Sequence, residues 1–236
     1  MRQLAAGSVP TMEGGEIRPQ PTIGARAEEF DDASVRLIRP IRLAVAAMKY
    51  ATAGLLSPEP AVADEGIGSA YEALSTLRYE LEDQAALNLV AYSRSAMSDL
   101  PTTIAVAHIN AEAERMGLLA RELADIAGTR RTWASIAPKL LDMLRELSEV
   151  CLEAAVKAAD VVESPGTAVG AEVDCTEEVK RLSDLLYQQL LFETAGIDVH
   201  AAVDFTFAAS CYERYAEHAV AVAHRATLLA VAAPPK

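Results

Sequence analysis

Bulky core material is scarce in this chain. Aromatic residues make up 5% of its 236 positions, with one tryptophan and four phenylalanines. Sandwiches and barrels need thick, bulky cores, so this composition argues against both. Cysteine is equally sparse. Cys151, Cys175 and Cys211 form an odd set with no CxxC spacing, which excludes a disulfide scaffold and predicts free thiols in a reducing compartment. Positive charge is short as well. Lys and Arg number 21 against 34 Asp and Glu, a formal charge of -13. A wide nucleic-acid footprint needs a basic surface, so nucleic acid is not an expected partner. The same balance offers no cationic patch for anionic lipid.

Long apolar runs are missing too. The first residues carry only a short Leu4-Ala5-Ala6 patch, with no signal-peptide core. The most apolar stretch, Ala219 to Ala233, is interrupted by His224-Arg225 and is too short to span a bilayer. A cytoplasmic protein without direct membrane insertion is the expectation. There is no GxxxxGK[ST], no GxGxxG and no HExxH.

What the chain does have is alanine. The hydrophobic fraction is 51%, and 46 of those residues are Ala. Alanine is the best helix former, and its small methyl lets helices pack closely. The expected fold is all-α. Residues 1–28 hold Pro10, Gly14-Gly15, Pro19, Pro21 and Gly24 without periodicity and read as a flexible tail. Helical periodicity then predicts six helices. They span about 28–56 with Pro40 inside, 61–92, 101–127, 132–162 with Pro138 as an irregularity, 171–192 and 198–231. Ser98 or Asp99 is the expected cap of the third helix, and Gly128 its expected stop.

An internal repeat organises these helices. Sliding the chain by 99 residues matches Asp99 with Asp198, Ile104 with Val203, Glu114 with Glu213, Arg115 with Arg214 and Ala120 with Ala219. Each pair falls on the third helix of its half. The expected architecture is two pseudo-symmetric antiparallel three-helix bundles, residues 29–128 and 129–236.

The chemical signal lies in paired carboxylates. Glu213 and Glu217 are four apart, which puts both on one helix face, and His224 falls on the same face. Like charges so placed repel unless a cation lies between them, and hard cations prefer oxygen ligands. The three residues are therefore metal candidates. The rival reading is a solvated acidic face answered by Arg214 or Arg225. In the first half Glu114 is followed four residues later by Leu118, so the equivalent pair is broken. A ferritin-type di-iron site needs two Glu-x-x-His motifs. None of His108, His200, His218 or His224 has a Glu three residues before it. Cys211 and His218 are too far apart on one helix to act as nucleophile and base, so Cys211 reads as a packing residue.

Ala201-Ala202-Val203-Asp204-Phe205-Thr206, followed by Cys211-Tyr212-Glu213-Arg214-Tyr215-Ala216-Glu217-His218-Ala219, resembles the last helix of the PhoU family. Ala111-Glu112-Ala113-Glu114-Arg115-Met116-Gly117 is similar to the matching helix of that family's first repeat. Glu82-Asp83 and Asp184-Leu185-Leu186-Tyr187 are similar in placement. The resemblance spans roughly residues 30–232. It implies two three-helix bundles and a non-enzymatic regulator. Such a protein acts between the phosphate ABC transporter, through its ATPase subunit, and a phosphate-sensing histidine kinase. It restrains phosphate uptake and the phosphate-starvation response when phosphate is plentiful.

Some members of the family bind iron or divalent metal clusters through paired E(D)xxxD motifs. Here the resemblance aligns those arms with Glu72 and Thr76, Glu114 and Leu118, Lys180 and Asp184, and Glu213 and Glu217. Only the last is acidic at both ends, so the expectation is no cofactor. The repeated Glu114-Arg115 and Glu213-Arg214 pairs are the partner-contact candidates, by directional pairing with a partner or by closing ion pairs within the bundle. Leftover Ala-rich faces make a homodimer the expected assembly. Two other functions compete: a metal-dependent helical enzyme using Glu213, Glu217 and His224, and a helical adaptor without the phosphate connection.

Overall fold

The computed structural model describes residues 23–94, 100–129, 133, 135–164, 173–192 and 196–232. Six helices carry the described chain, and there is no strand among the described residues. They are α1 (Ile23–Leu56), α2 (Pro60–Arg94), α3 (Leu100–Thr129), α4 (Pro138–Glu163), α5 (Thr176–Phe192) and α6 (Val199–Ala232). The Ser98 or Asp99 cap and residues 1–22 of the expected tail lie outside the described residues.

Local chemistry explains where the helices start. α1 begins at Ile23 and so takes in six residues, 23–28, of the segment expected to be tail. α4 does not begin at Thr132. It begins at Pro138, and Ala137 before it is extended, with φ -62° and ψ 138°. Proline bars its predecessor from the helical region yet suits the first helical position, so Pro138 starts the helix instead of interrupting it. α5 likewise begins at Thr176 and not near Ala171, because the Asp174 carboxylate accepts the Thr176 N–H at 2.9 Å. Asp198, the repeat partner of Asp99, caps α6, accepting the N–H groups of His200 at 2.9 Å and Ala201 at 3.2 Å. Gly128 is not a stop, since α3 continues to Thr129.

Small residues set the helix spacing. Gly54 on α1 and Gly66 on α2 face each other so closely that a Cβ on Gly66 would lie 2.8 Å from the Gly54 nitrogen and 2.9 Å from the Tyr50 carbonyl oxygen. Glycine at both positions lets the two backbones touch.

α1 packs on both α2 and α3, and α4 and α5 each pack on α6. The halves meet through α3 on α6 and α1 on α4, and one continuous core runs through all of them. Its largest fully buried side chains include Tyr212, Tyr215 and Phe205 on α6 with Ile41 and Met48 on α1. Burying a phenol obliges its hydroxyl to find a partner. Tyr212 shares a hydrogen bond with Thr52 Oγ1 at 2.9 Å, and Tyr215 donates to the Ala44 carbonyl at 3.2 Å. Both bonds tie the last helix to the first. Trp133, between α3 and α4, packs at a tilt against Phe205.

Candidate functional site

α5 and α6 run side by side, and a half-open cavity of about 330 Å³ lies between them. Thr176, Lys180, Ser183, Asp184 and Tyr187 line it from α5, and Glu213 and Glu217 from α6. These positions recur every three or four residues, so each helix turns one stripe toward the other. Val179 and Ala216 form the apolar floor. Glu213 and Glu217 therefore do share a face, as their spacing predicts, and that face looks toward α5. His224 is exposed and is not among the lining residues.

The electrostatics of the cavity are uneven. Three carboxylates, Asp184, Glu213 and Glu217, stand against one ammonium, Lys180. No ion pair of Lys180 occurs among the described residues. The Tyr187 hydroxyl and the Glu213 carboxylate line the cavity together. Burial, and then the Glu213 charge, push the Tyr187 phenol above its ordinary range, so it keeps its proton. Ser183 is 2% exposed, and its Oγ has no hydrogen-bond partner among the described residues. A buried hydroxyl without a partner is uncommon and costs stability. Among the described residues, no group of three or more His, Cys, Asp or Glu side chains is placed to hold a metal ion.

The first half is different at the equivalent positions. Thr76 Oγ1 donates back to the Glu72 carbonyl at 3.1 Å, within its own helix. Glu114 is exposed, and Leu118 is 55% exposed, an apolar side chain where α6 has Glu217. Arg115 pairs with Glu112, at 2.9 Å, and not with Glu114. Arg214 is exposed. Glu114, Arg115 and Arg214 are thus open to solvent, whereas Glu213 is half-buried in the cavity.

Glu112 is the carboxylate that sequence reasoning undervalued. It is 6% exposed and held by two donors, Arg115 Nη1 at 2.9 Å and His218 Nδ1 at 2.8 Å. It fastens α3 to α6 across the two halves, and His218 is committed to it. A second link uses His108 Nδ1, which accepts from Arg225 Nη1 at 2.7 Å. Cys211 donates to Glu122 at 3.6 Å. Burial and the Glu122 charge push its thiol up to about 12, which disfavours the thiolate at neutral pH. Cys151 is buried and raised further, chiefly by burial.

A further cavity, about 430 Å³ and apolar, opens at the start of α6 beside Ile197, Val199, Val203 and Phe207. Among the described residues no helix is long and apolar enough to cross a membrane.

No protein-family model matches the chain. It is 32% identical over 211 residues to the phosphate-specific transport system accessory protein PhoU homolog 2 of Mycobacterium tuberculosis, covering 88% of this chain and 97% of that protein. The PhoU homolog 1 of Mycobacterium leprae is 29% identical over 213 residues, covering 89% of this chain and 94% of the relative. In fold, the chain superposes on the crystal structure of PhoU from Pseudomonas aeruginosa with a TM-score of 0.68, over 89% of this chain and 99% of the other at 17% identity. The helical architecture and the near full-length similarity agree, and the chain belongs to the PhoU family.

Proposed function

We propose that this protein is a non-enzymatic accessory regulator of phosphate uptake. In this reading it works in the cytoplasm by contact with the ATPase subunit of the phosphate ABC transporter and with a sensor histidine kinase, and restrains both when phosphate is plentiful. The observation that carries the reading is the similarity to transport-system accessory proteins along nearly the whole of both chains. A regulator of this kind must bind one state of its partner better than another, or it shifts nothing. The exposed Glu114, Arg115 and Arg214 side chains are the proposed contact points, because solvent-facing charges on rigid helices can form directional pairs. A homodimer belongs to the same proposal. It is supported by the exposed Val199, Val203 and Phe207 at the start of α6.

We also propose that regulation proceeds without a bound metal cluster. Lys180 brings an ammonium among the carboxylates of the second half, and Leu118 stands where an acid would be needed in the first. That donor set does not fit several closely spaced cations. Elemental analysis of protein purified without chelator tests this. Stoichiometric, tightly held iron, zinc or magnesium would refute it.

The functional test is a deletion strain grown in excess phosphate. The expected results are raised phosphate uptake and a derepressed starvation response. The tagged protein is expected to recover the ATPase subunit or the kinase from lysate. Unchanged uptake and signalling in the deletion strain, with neither partner recovered, would end the proposal.

A further inference from the structure

The α5–α6 cavity is built for an occupant. Its carboxylates outnumber its ammonium by two, and it lies on a surface of an already acidic protein. An anion, phosphate included, would enter against Asp184, Glu213 and Glu217 together, so the missing charge is positive. The unpartnered Ser183 Oγ is the independent sign that something completes the site. It is buried, lies in the cavity wall and has no hydrogen-bond partner among the described residues. An external donor would remove the penalty of leaving it unpaired. At about 330 Å³ the cavity is at the small end of ligand pockets, which run from about 300 to 1,000 Å³. That is suited to one side chain and tight for a nucleotide.

The arrangement of acceptors narrows the cation. Glu213 and Glu217 are presented from α6, Asp184 and Ser183 from α5. Several acceptors set around one space suit a planar group with five fixed donors better than a compact ammonium. We infer that this cavity is a receptor for the guanidinium of an arginine side chain presented by a protein partner. Glu213, Glu217 and Asp184 take its charge, and Ser183 Oγ accepts one of its N–H donors. Lys180 stands at the rim as a selectivity element. Its own positive charge lowers affinity, so that only an arginine supported by further contacts is held. The inference deepens the proposed regulatory contact and rests on it for the identity of the ligand's carrier. It is tested on the isolated protein, so its failure is separable from failure of the phosphate-uptake reading.

The experiment is an amide NMR titration of the full chain with two probes, N-acetyl-arginine amide and agmatine. The capped arginine represents a residue within a polypeptide, and agmatine a free small guanidinium compound. Both are expected to shift the same amides, at 176–187 and 213–217, with saturation. Glu213→Gln with Glu217→Gln is expected to weaken the capped probe by about tenfold or more, the scale of one lost charge-assisted hydrogen bond. Ser183→Ala is expected to weaken it severalfold while leaving the melting temperature unchanged or higher, because the free protein loses an unpaired buried hydroxyl. Lys180→Gln is expected to tighten it. Four outcomes overturn the inference: no site-specific shift with either probe, binding of agmatine alone, tightening absent in Lys180→Gln, or saturation of the same amides by stoichiometric magnesium.

Discussion

The hydrogen bond between Tyr212 and Thr52 offers a direct measure of how firmly the last helix is held to the first. The two hydroxyl oxygens are 2.9 Å apart, Tyr212 is fully buried, and Thr52 is 9% exposed. Tyr212→Phe removes one oxygen, keeps the ring and leaves the Thr52 hydroxyl in an apolar setting. Orphaning a buried hydroxyl costs about 1–3 kcal/mol, whereas a satisfied bond contributes only about 1 kcal/mol net. Thr52→Val orphans the Tyr212 hydroxyl in the same way, and valine and threonine have similar helix propensity. The double variant has no orphan. It is expected to be less destabilised than the sum of the two single variants by about 1 kcal/mol or more. Urea unfolding followed by helix circular dichroism and by the emission of Trp133, the single tryptophan, measures all four proteins. Additivity within about 0.3–0.5 kcal/mol would show that the hydroxyls are energetically independent and would refute the argument.

Gly66→Ala is expected to destabilise the protein by about 1–3 kcal/mol, because the new methyl meets the backbone of α1 and forces the helices apart. Gly68→Ala is its control: a Cβ there meets nothing within 4 Å, so stability should rise by about 0.4–1 kcal/mol in the same thermal or urea assay. Asp198→Ala removes the acceptor of two N–H groups at the start of α6 and is expected to cost about 0.5–2 kcal/mol, which Asp198→Asn should largely spare. Stability should also fall as pH rises above the ordinary tyrosine value of 10.0, since burial raises Tyr212 and Tyr215 in the folded protein while the unfolded chain loses those protons. The unfolded state then binds fewer protons than the native state, which gives a negative slope of stability with pH. A urea midpoint that does not decline between neutral pH and about pH 11 would contradict the burial of both phenols.

Much of the candidate site was legible in part. The i,i+4 spacing placed Glu213 and Glu217 on one face, and the resemblance placed Lys180 and Asp184 on the helix before. Their meeting was not legible, because it depends on how α5 is rotated against α6. Ser183 carried no signal at all, since serine on a helix surface and serine in a wall read alike. Glu112, quoted from the sequence only within the resembling segment Ala111–Gly117, proves to be a buried bolt between α3 and α6. His224, on the right face by count, lies two helical turns beyond Glu217 and outside the cavity, whose α5 wall begins at Thr176, the first residue of that helix.

The number and order of the helices, the Asp198 cap and the excess of negative charge follow from the sequence alone. They rest on local backbone preference, on periodicity and on composition, each settled within a few turns of chain. Pro138 and Asp174 belong to the same class, because their effects on α4 and α5 act on immediate neighbours. The contact of Gly54 with Gly66, the Tyr212–Thr52 bond and the cavity between α5 and α6 belong to tertiary structure. Each joins residues from separate helices, and its energy depends on which stripe of each helix faces the other. Many nearly equivalent Ala-rich faces compete for that role, and only close packing of the whole bundle selects among them.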